Sequence, residues 1–167
     1  MGSMGRSQFY RVPFPGPGDL SVLARPRKAR LARTARRLRR HGVTTVVSTL
    51  TAAEIERYDL ADEWRAWRDA GIDFFWWPID EFGVPDDAVA DDVLARLHDR
   101  LTAGEHIAVE CRMALGRSPL VASALMVEAG ISAADAVWAL TTAAGRPVPR
   151  ASQRAWLRRR SPADAAS

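Results

Sequence analysis

Apolar β-branched runs that alternate with helix-period runs predict an α/β domain with a mainly parallel central sheet flanked by helices. Three observations carry this expectation. Residues 43–50 (Val-Thr-Thr-Val-Val-Ser-Thr-Leu) are rich in β-branched side chains, as suits a strand buried on both faces. The stretches between apolar runs repeat their apolar residues at helical spacing. Residues 106–118 then read as strand, tight loop and helix, which sets a loop at the carboxyl edge of a parallel sheet, where α/β sites lie.

The elements follow in order. Residues 1–18 contain Pro13, Pro15, Gly16, Pro17 and Gly18 and are expected to be an extended arm. The opening Met-Gly-Ser-Met reads as an expression scar before a start at Met4. Residues 19–24 suit a short edge strand. In residues 27–41, Ala29, Leu31, Ala32, Ala35 and Leu38 recur at helical spacing, and Gly42 supplies a stop. The strand at 43–50 leads into Thr51-Ala-Ala-Glu54, a capping-box pattern that opens a short helix. A helix at 62–70 closes at Gly71, and a strand at 72–77 is broken by Pro78. Residues 80–85 form a loop. Asp86 or Asp87 caps a long helix that runs to about Ala103 and ends at Gly104. A strand at 106–110 precedes the cysteine, and helices are expected at 118–129, 132–143 and 152–160. Residues 19–160 are thus read as one domain, with a frayed tail at 161–167.

Composition bounds the function. A chain of 167 residues, 47% hydrophobic and 26% charged, can bury a real core and is not expected to be disordered. It has no apolar run long enough to span a bilayer and no signal-peptide pattern. Arg6 stands where a myristoylation motif needs Ser or Thr. A single cysteine excludes an internal disulfide and suits a reducing, cytoplasmic location. The net charge is +4, and every basic residue except Lys28 is arginine. Residues 25–40 and 154–160 concentrate this charge. Two solvated helix faces are the plain reading; the sharper one is a field that attracts anionic substrates, lipid headgroups or nucleic acid.

The chemistry centres on Cys111-Arg112-Met113-Ala114-Leu115-Gly116-Arg117-Ser118. A tight loop between strand and helix turns its backbone N–H groups into one concavity at a helix N-terminus, which binds oxyanions. The same field draws a thiol toward thiolate. Arg117 adds a planar two-pronged donor for phosphate. The expected reaction is in-line attack of Cys111 on phosphorus, with the amides of residues 112–117 holding the oxyanion. An acid must protonate the leaving oxygen and then activate water, and Asp80 and Glu81 are the candidates. Ser118 can stabilise the departing thiolate, and Gln153 is a candidate for positioning the attacking water. His41, His98 and His106 lack metal-ligand spacing, and the tryptophans are expected mostly in the core.

Cys111, Arg117 and Ser118, spaced in this way, resemble the phosphate loop of the cysteine-based protein tyrosine and dual-specificity phosphatases. The similarity extends to Val46-Val47-Ser48-Thr49-Leu50-Thr51 with Glu54, Gly71-Ile72, residues 78–85, and Arg146-Pro147-Val148-Pro149 with Gln153. It points toward small bacterial members and compact eukaryotic dual-specificity enzymes. The resemblance implies an α/β fold, phosphomonoester hydrolysis through a phosphocysteine, and no metal or other cofactor. Three positions depart from the pattern. Glu110 stands where His is usual, Ala114 where Gly is usual, and the register of the usual acidic Asp falls on Glu81, with Asp80 one place early.

Glu110 leaves three arrangements open. Ionised beside Cys111, it raises the thiol pKa and repels phosphate. Protonated by burial, it donates a hydrogen bond much as a histidine does. Pointing away, it pairs with an arginine. The leading function is hydrolysis of a phosphorylated protein or peptide. The alternatives are a recognition module that binds phosphate with little turnover, and a phosphatase for an RNA 5′ phosphate or an inositol lipid.

Overall fold

The structure, a computed structural model, describes residues 9–162. The expected opening scar and the end of the expected tail, 163–167, lie outside these residues. Five strands form one sheet in the order β1-β2-β5-β3-β4. The strands are β1 (Phe9–Val12), β2 (Asp19–Ala24), β3 (Thr45–Ser48), β4 (Asp73–Trp76) and β5 (His106–Cys111). All neighbours are parallel except β1, which pairs antiparallel with β2.

β1 corrects the reading of residues 1–18 as an arm. Phe9 to Val12 pair with Leu23 to Leu20, and Pro13 lies just after the strand, where its missing N–H costs no ladder bond. β2 consequently lies inside the sheet and not at its edge, and Leu20, Val22, Leu23 and Ala24 are all buried.

The helices are α1 (Leu31–Arg40), preceded by a 3-10 turn at Lys28–Arg30, then α2 (Ala52–Arg57), α3 (Glu63–Asp69), α4 (Asp87–Thr102), α5 (Arg117–Glu128), α6 (Ala133–Ala144) and α7 (Ala151–Arg160). Local chemistry explains their ends. Thr51 caps α2 in a reciprocal capping box with Glu54, and Asp86 caps α4 through Val89 N–H. Gly42 adopts φ +89° after α1, a conformation that side chains resist.

Strand alternation divides the core between two faces. Val22, Val47, Ile107 and Val109 pack toward α4, α5, α6 and α7, while Leu23, Val46 and Ala108 pack toward α1 and α3. In α1, Leu31, Ala35 and Leu38 form the buried stripe between exposed arginines. Burying each leucine contributes about 2 kcal/mol. α5 is buried at every residue from Arg117 to Val127, which fixes the helix behind the cysteine loop. Only Trp67, Trp77 and Trp156 are buried. Trp64, Trp76 and Trp138 are exposed, against the expectation of a mostly internal set, because each takes the solvent side of its helix or edge strand.

Candidate active site

β5 ends at Cys111 and α5 begins at Arg117, so residues 112–116 turn over the carboxyl edge of the sheet. The Cys111 thiol is 3% exposed and closed in by its own loop. Its Sγ lies 2.9 Å from Ser118 Oγ and accepts the Ala114 N–H at 3.2 Å. Ala114 makes that contact from φ +59°, the left-handed conformation that glycine adopts freely. Gly116 is the close approach in the loop: a Cβ there would stand 3.1 Å from Gln153 Oε1.

Arg117 is 3% exposed and held from several sides. Its Nη1 donates to Glu54 Oε2 at 2.7 Å, Ile79 O at 2.9 Å and Thr49 O at 3.2 Å, and its Nη2 donates to Glu54 Oε1 at 2.7 Å. This is a two-pronged carboxylate pair, the geometry for which the guanidinium is built. Glu54 simultaneously accepts the Thr51 N–H at 2.9 Å. Burial acts to raise the Glu54 carboxyl, but the bonds from Arg117 and Thr51 outweigh it and hold it below the usual carboxylate range. Burial likewise acts to lower Arg117, and Glu54 reverses the sign, so its charge is secure. Sequence reasoning saw Glu54 as a helix cap. Its second role as the arginine's anchor joins residues 63 apart in the chain, which no local pattern reports.

The recess over the sulfur is lined by Glu81, Phe82, Cys111, Arg112, Met113, Leu115, Gly116, Arg117 and Arg150. Glu81 belongs to this rim, and Asp80 does not. The Glu81 carboxylate pairs with Arg112 Nη2 at 2.5 Å, whereas Asp80 is exposed and its backbone carbonyl accepts the Gly83 N–H in a turn. Burial acts to lower Arg112, but hydrogen bonds to Glu81 and Tyr58 raise it. Phe82 and Met113, both 55% exposed, form an apolar lip, and the Arg150 guanidinium lies 4.5 Å over the Phe82 ring.

Gln153, expected to position the attacking water, packs against Gly116 of the phosphate loop. It is fully buried. Its Oε1 accepts the Arg150 N–H at 3.2 Å and its Nε2 donates to Gly83 O at 3.0 Å. It thus ties α7 to the loop that carries Glu81. His106 is remote, in the core, where Nε2 meets Ser21 Oγ at 2.7 Å and burial lowers its pKa.

Glu110 points away from Cys111, to the α3 side of the sheet with Ala108. Of the three open arrangements the structure combines two. It points away, and burial, followed by the charge of Glu63, raises its carboxyl well above the usual range. Arg25 opposes the shift by its charge, and neither Glu110 carboxyl oxygen has a hydrogen-bond partner among the described residues.

Residues 22–137 match the family described as Cyclin-dependent kinase inhibitor 3 (CDKN3), a span that contains the whole cysteine loop. The chain belongs to this family, within the cysteine-based phosphatase superfamily. It is 30% identical over 132 residues to protein tyrosine phosphatase type IVA 2 of Mus musculus, covering 74% of each chain. It is 28% identical over 136 residues to type IVA 3 of Bos taurus, covering 76% of this chain and 74% of the relative. The fold is similar to that of kinase associated phosphatase with its catalytic cysteine changed to serine, with a TM-score of 0.83, 20% identity and 99% coverage of both chains. It is also similar to PTPMT1 in complex with PI(5)P, with a TM-score of 0.76 and 18% identity over 96% of this chain and 98% of the other. The α/β dual-specificity phosphatase architecture expected from sequence is therefore the observed one.

Proposed function

We propose that the chain hydrolyses phosphomonoesters of protein or peptide substrates through a phosphocysteine. The observation that carries the reading is the closed sulfur at the α5 N-terminus, 2.9 Å from Ser118 Oγ, with Arg117 locked beside it by Glu54.

The Cys111 thiolate attacks phosphorus in line, forming S–P as the bond to the leaving oxygen breaks. The loop amides and Arg117 hold the equatorial oxygens. Glu81 gives its proton to the leaving oxygen, then takes one from water as that water attacks phosphorus. S–P breaks, inorganic phosphate departs, and Ser118 Oγ donates to the returning thiolate. Glu81 is assigned over Asp80 because it lines the recess. Once it has given up its proton, its pair with Arg112 holds the loop over the site, and Gln153 supports that loop from behind. A reducing cytoplasm would preserve the nucleophile, and no helix among the described residues is long and apolar enough to cross a membrane.

A second reading rests on the rim. Arg112 and Arg150 flank the recess beside Arg117, an arrangement that favours a substrate with further negative charge, such as an inositol lipid headgroup. The bound PI(5)P of the PTPMT1 structure is consistent with it. An RNA 5′ phosphate has less support, because the Phe82 ring at the rim already carries the Arg150 guanidinium.

The test is p-nitrophenyl phosphate hydrolysis from about pH 4.5 to 8 by the wild type, Cys111→Ser, Glu81→Gln and Asp80→Asn. Activity should vanish with Cys111→Ser, drop with Glu81→Gln and survive Asp80→Asn. No wild-type activity, with tungstate still bound, would replace this reading with phosphate recognition. Phosphotyrosine and phosphothreonine peptides assayed beside phosphatidylinositol monophosphates then separate the substrate classes.

A further inference from the structure

The mechanism leaves unused a carboxyl pair behind the nucleophile. Glu110 and Glu63 are 0% and 1% exposed. Trp67 Nε1 donates to Glu63 Oε1 at 3.1 Å. Among the described residues, Glu63 Oε2 and both Glu110 oxygens are buried with no hydrogen-bond partner, and Glu63 is the neighbour whose charge acts most strongly on Glu110. Ionised carboxylates only accept, so these neighbouring buried oxygens can satisfy one another only if one carboxyl holds a proton. Two unshielded charges in such a space would repel each other strongly.

The surroundings show what the pair supports. The Glu110 backbone carbonyl accepts both Thr49 N–H at 2.9 Å and Thr49 Oγ1–H at 2.8 Å. The Thr49 carbonyl in turn accepts from Arg117 Nη1 at 3.2 Å. Glu110 is also bonded covalently to Cys111. One residue therefore fixes the nucleophile on one side and the phosphate-binding arginine on the other.

The charged and titratable groups around the pair come from each adjoining element. Arg25 follows β2, donates its backbone N–H to Cys111 O at 2.8 Å and stacks 3.5 Å over the Tyr58 ring beyond α2. Ser48 faces Glu110 across the β3–β5 ladder. Cys111 completes the set on β5. Arg25 is the cation that opposes the pair's single negative charge.

We propose that Glu110 and Glu63 form a one-proton carboxyl pair that positions Cys111 and Arg117, and that loss of the shared proton at alkaline pH weakens oxyanion capture. Glu110 and Glu63 are positioning residues, touching neither substrate nor reacting atoms. The inference rests on the phosphatase reading only for its effect on turnover. The pair itself stands on the burial of both side chains and their unpartnered oxygens, and burial with the Glu63 charge raises the Glu110 carboxyl.

The experiment compares wild type, Glu110→Gln and Glu63→Gln. In either variant an amide N–H₂ supplies permanently the donor that the shared proton supplies in the wild type. Tungstate affinity is measured across the alkaline range by its protection of Cys111, the chain's single cysteine, from iodoacetamide. Wild-type affinity should fall about tenfold beyond the fall in the variants, as expected for one new like charge nearby. The kcat/KM profile should show the same difference where there is turnover. Superimposable alkaline limbs in all three proteins would overturn the inference. Absence of turnover with a variant-dependent tungstate profile would overturn the phosphatase reading and leave the pair standing. If a variant does not fold, the infrared carbonyl band of a protonated carboxyl decides in the wild type at neutral pH. Its presence there, and its disappearance at alkaline pH together with tungstate affinity, supports the pair; its absence at neutral pH overturns it.

Discussion

Replacing Glu54 by alanine separates a helix cap from an active-site anchor. The substitution removes both prongs of a buried ion pair, each 2.7 Å, with side chains 3% and 12% exposed. Breaking such a pair costs about 3–5 kcal/mol, because a charge is left without its partner. Arg117 keeps the carbonyls of Thr49 and Ile79, which places the loss near the lower end, at about 3 kcal/mol. Losing the reciprocal cap at Thr51 adds about 1 kcal/mol. Thermal unfolding of a chain this size should shift down by about 8–16 °C for that total. A guanidinium displaced by about 1 Å should also lower kcat/KM about 100-fold. Thr51→Ala is the control: it weakens the cap, leaves the arginine pair and should cost only about 1 kcal/mol with little change in rate. The pH dependence has a definite sign. The folded carboxyl of Glu54 lies below its unfolded value, so its stabilisation is present above the unfolded pKa and is lost as pH falls through the folded one. The gap between wild type and Glu54→Ala should therefore close in acid. If Glu54→Ala matched Thr51→Ala in both stability and rate, the anchoring argument would be refuted.

Three further outcomes follow from the same geometry. Glu110 has a raised folded pKa, so its stabilisation is full below the unfolded pKa and is lost as pH rises through the folded one. Thermal scans taken upward from the ordinary carboxylate range should show that loss in the wild type and not in Glu110→Gln. Ala114→Gly relieves a side chain at φ +59° and should stabilise the fold by about 0.5–1 kcal/mol in urea titration, less the greater freedom of glycine in the unfolded chain. Gln153→Ala removes the tether from α7 to Gly83 and should lower kcat more than tungstate affinity, because the Glu81 loop loses a hydrogen bond while the phosphate loop loses only a packing contact at Gly116. Equal losses in both would show that Gln153 supports the whole site.

The sequence made the local rules legible. Thr51 with Glu54, Asp86 before α4, and Gly42 and Gly104 after their helices each state a boundary in one or two side chains. The nucleophile loop was equally plain, because its strand, turn and helix are contiguous. Long-range partners were not. β1 was missed because the proline-rich segment after it dominates the composition, while its real reason to be a strand is pairing with residues 20–23. The choice between Asp80 and Glu81 depended on a turn in which Phe82 takes φ +64°, which sends Glu81 and not Asp80 to the rim. Glu63 drew no attention, since it reads as an ordinary charge at the start of α3. Its burial follows from the packing of α3 against the sheet, as do the surroundings of Glu110. Strand alternation from Cys111 alone would have placed Glu110 on the opposite face, but only the packing of α3 shows what waits for it there.

The central claim is that Cys111 becomes covalently phosphorylated during turnover. The most direct measurement is rapid acid quenching with p-nitrophenyl phosphate, followed by mass analysis of the peptide that carries the single cysteine. A phosphate adduct on Cys111 in the wild type, enriched in Glu81→Gln because hydrolysis of the intermediate is slowed, is the predicted result. Product release with no adduct on that peptide, or undiminished turnover by Cys111→Ser, would contradict the account.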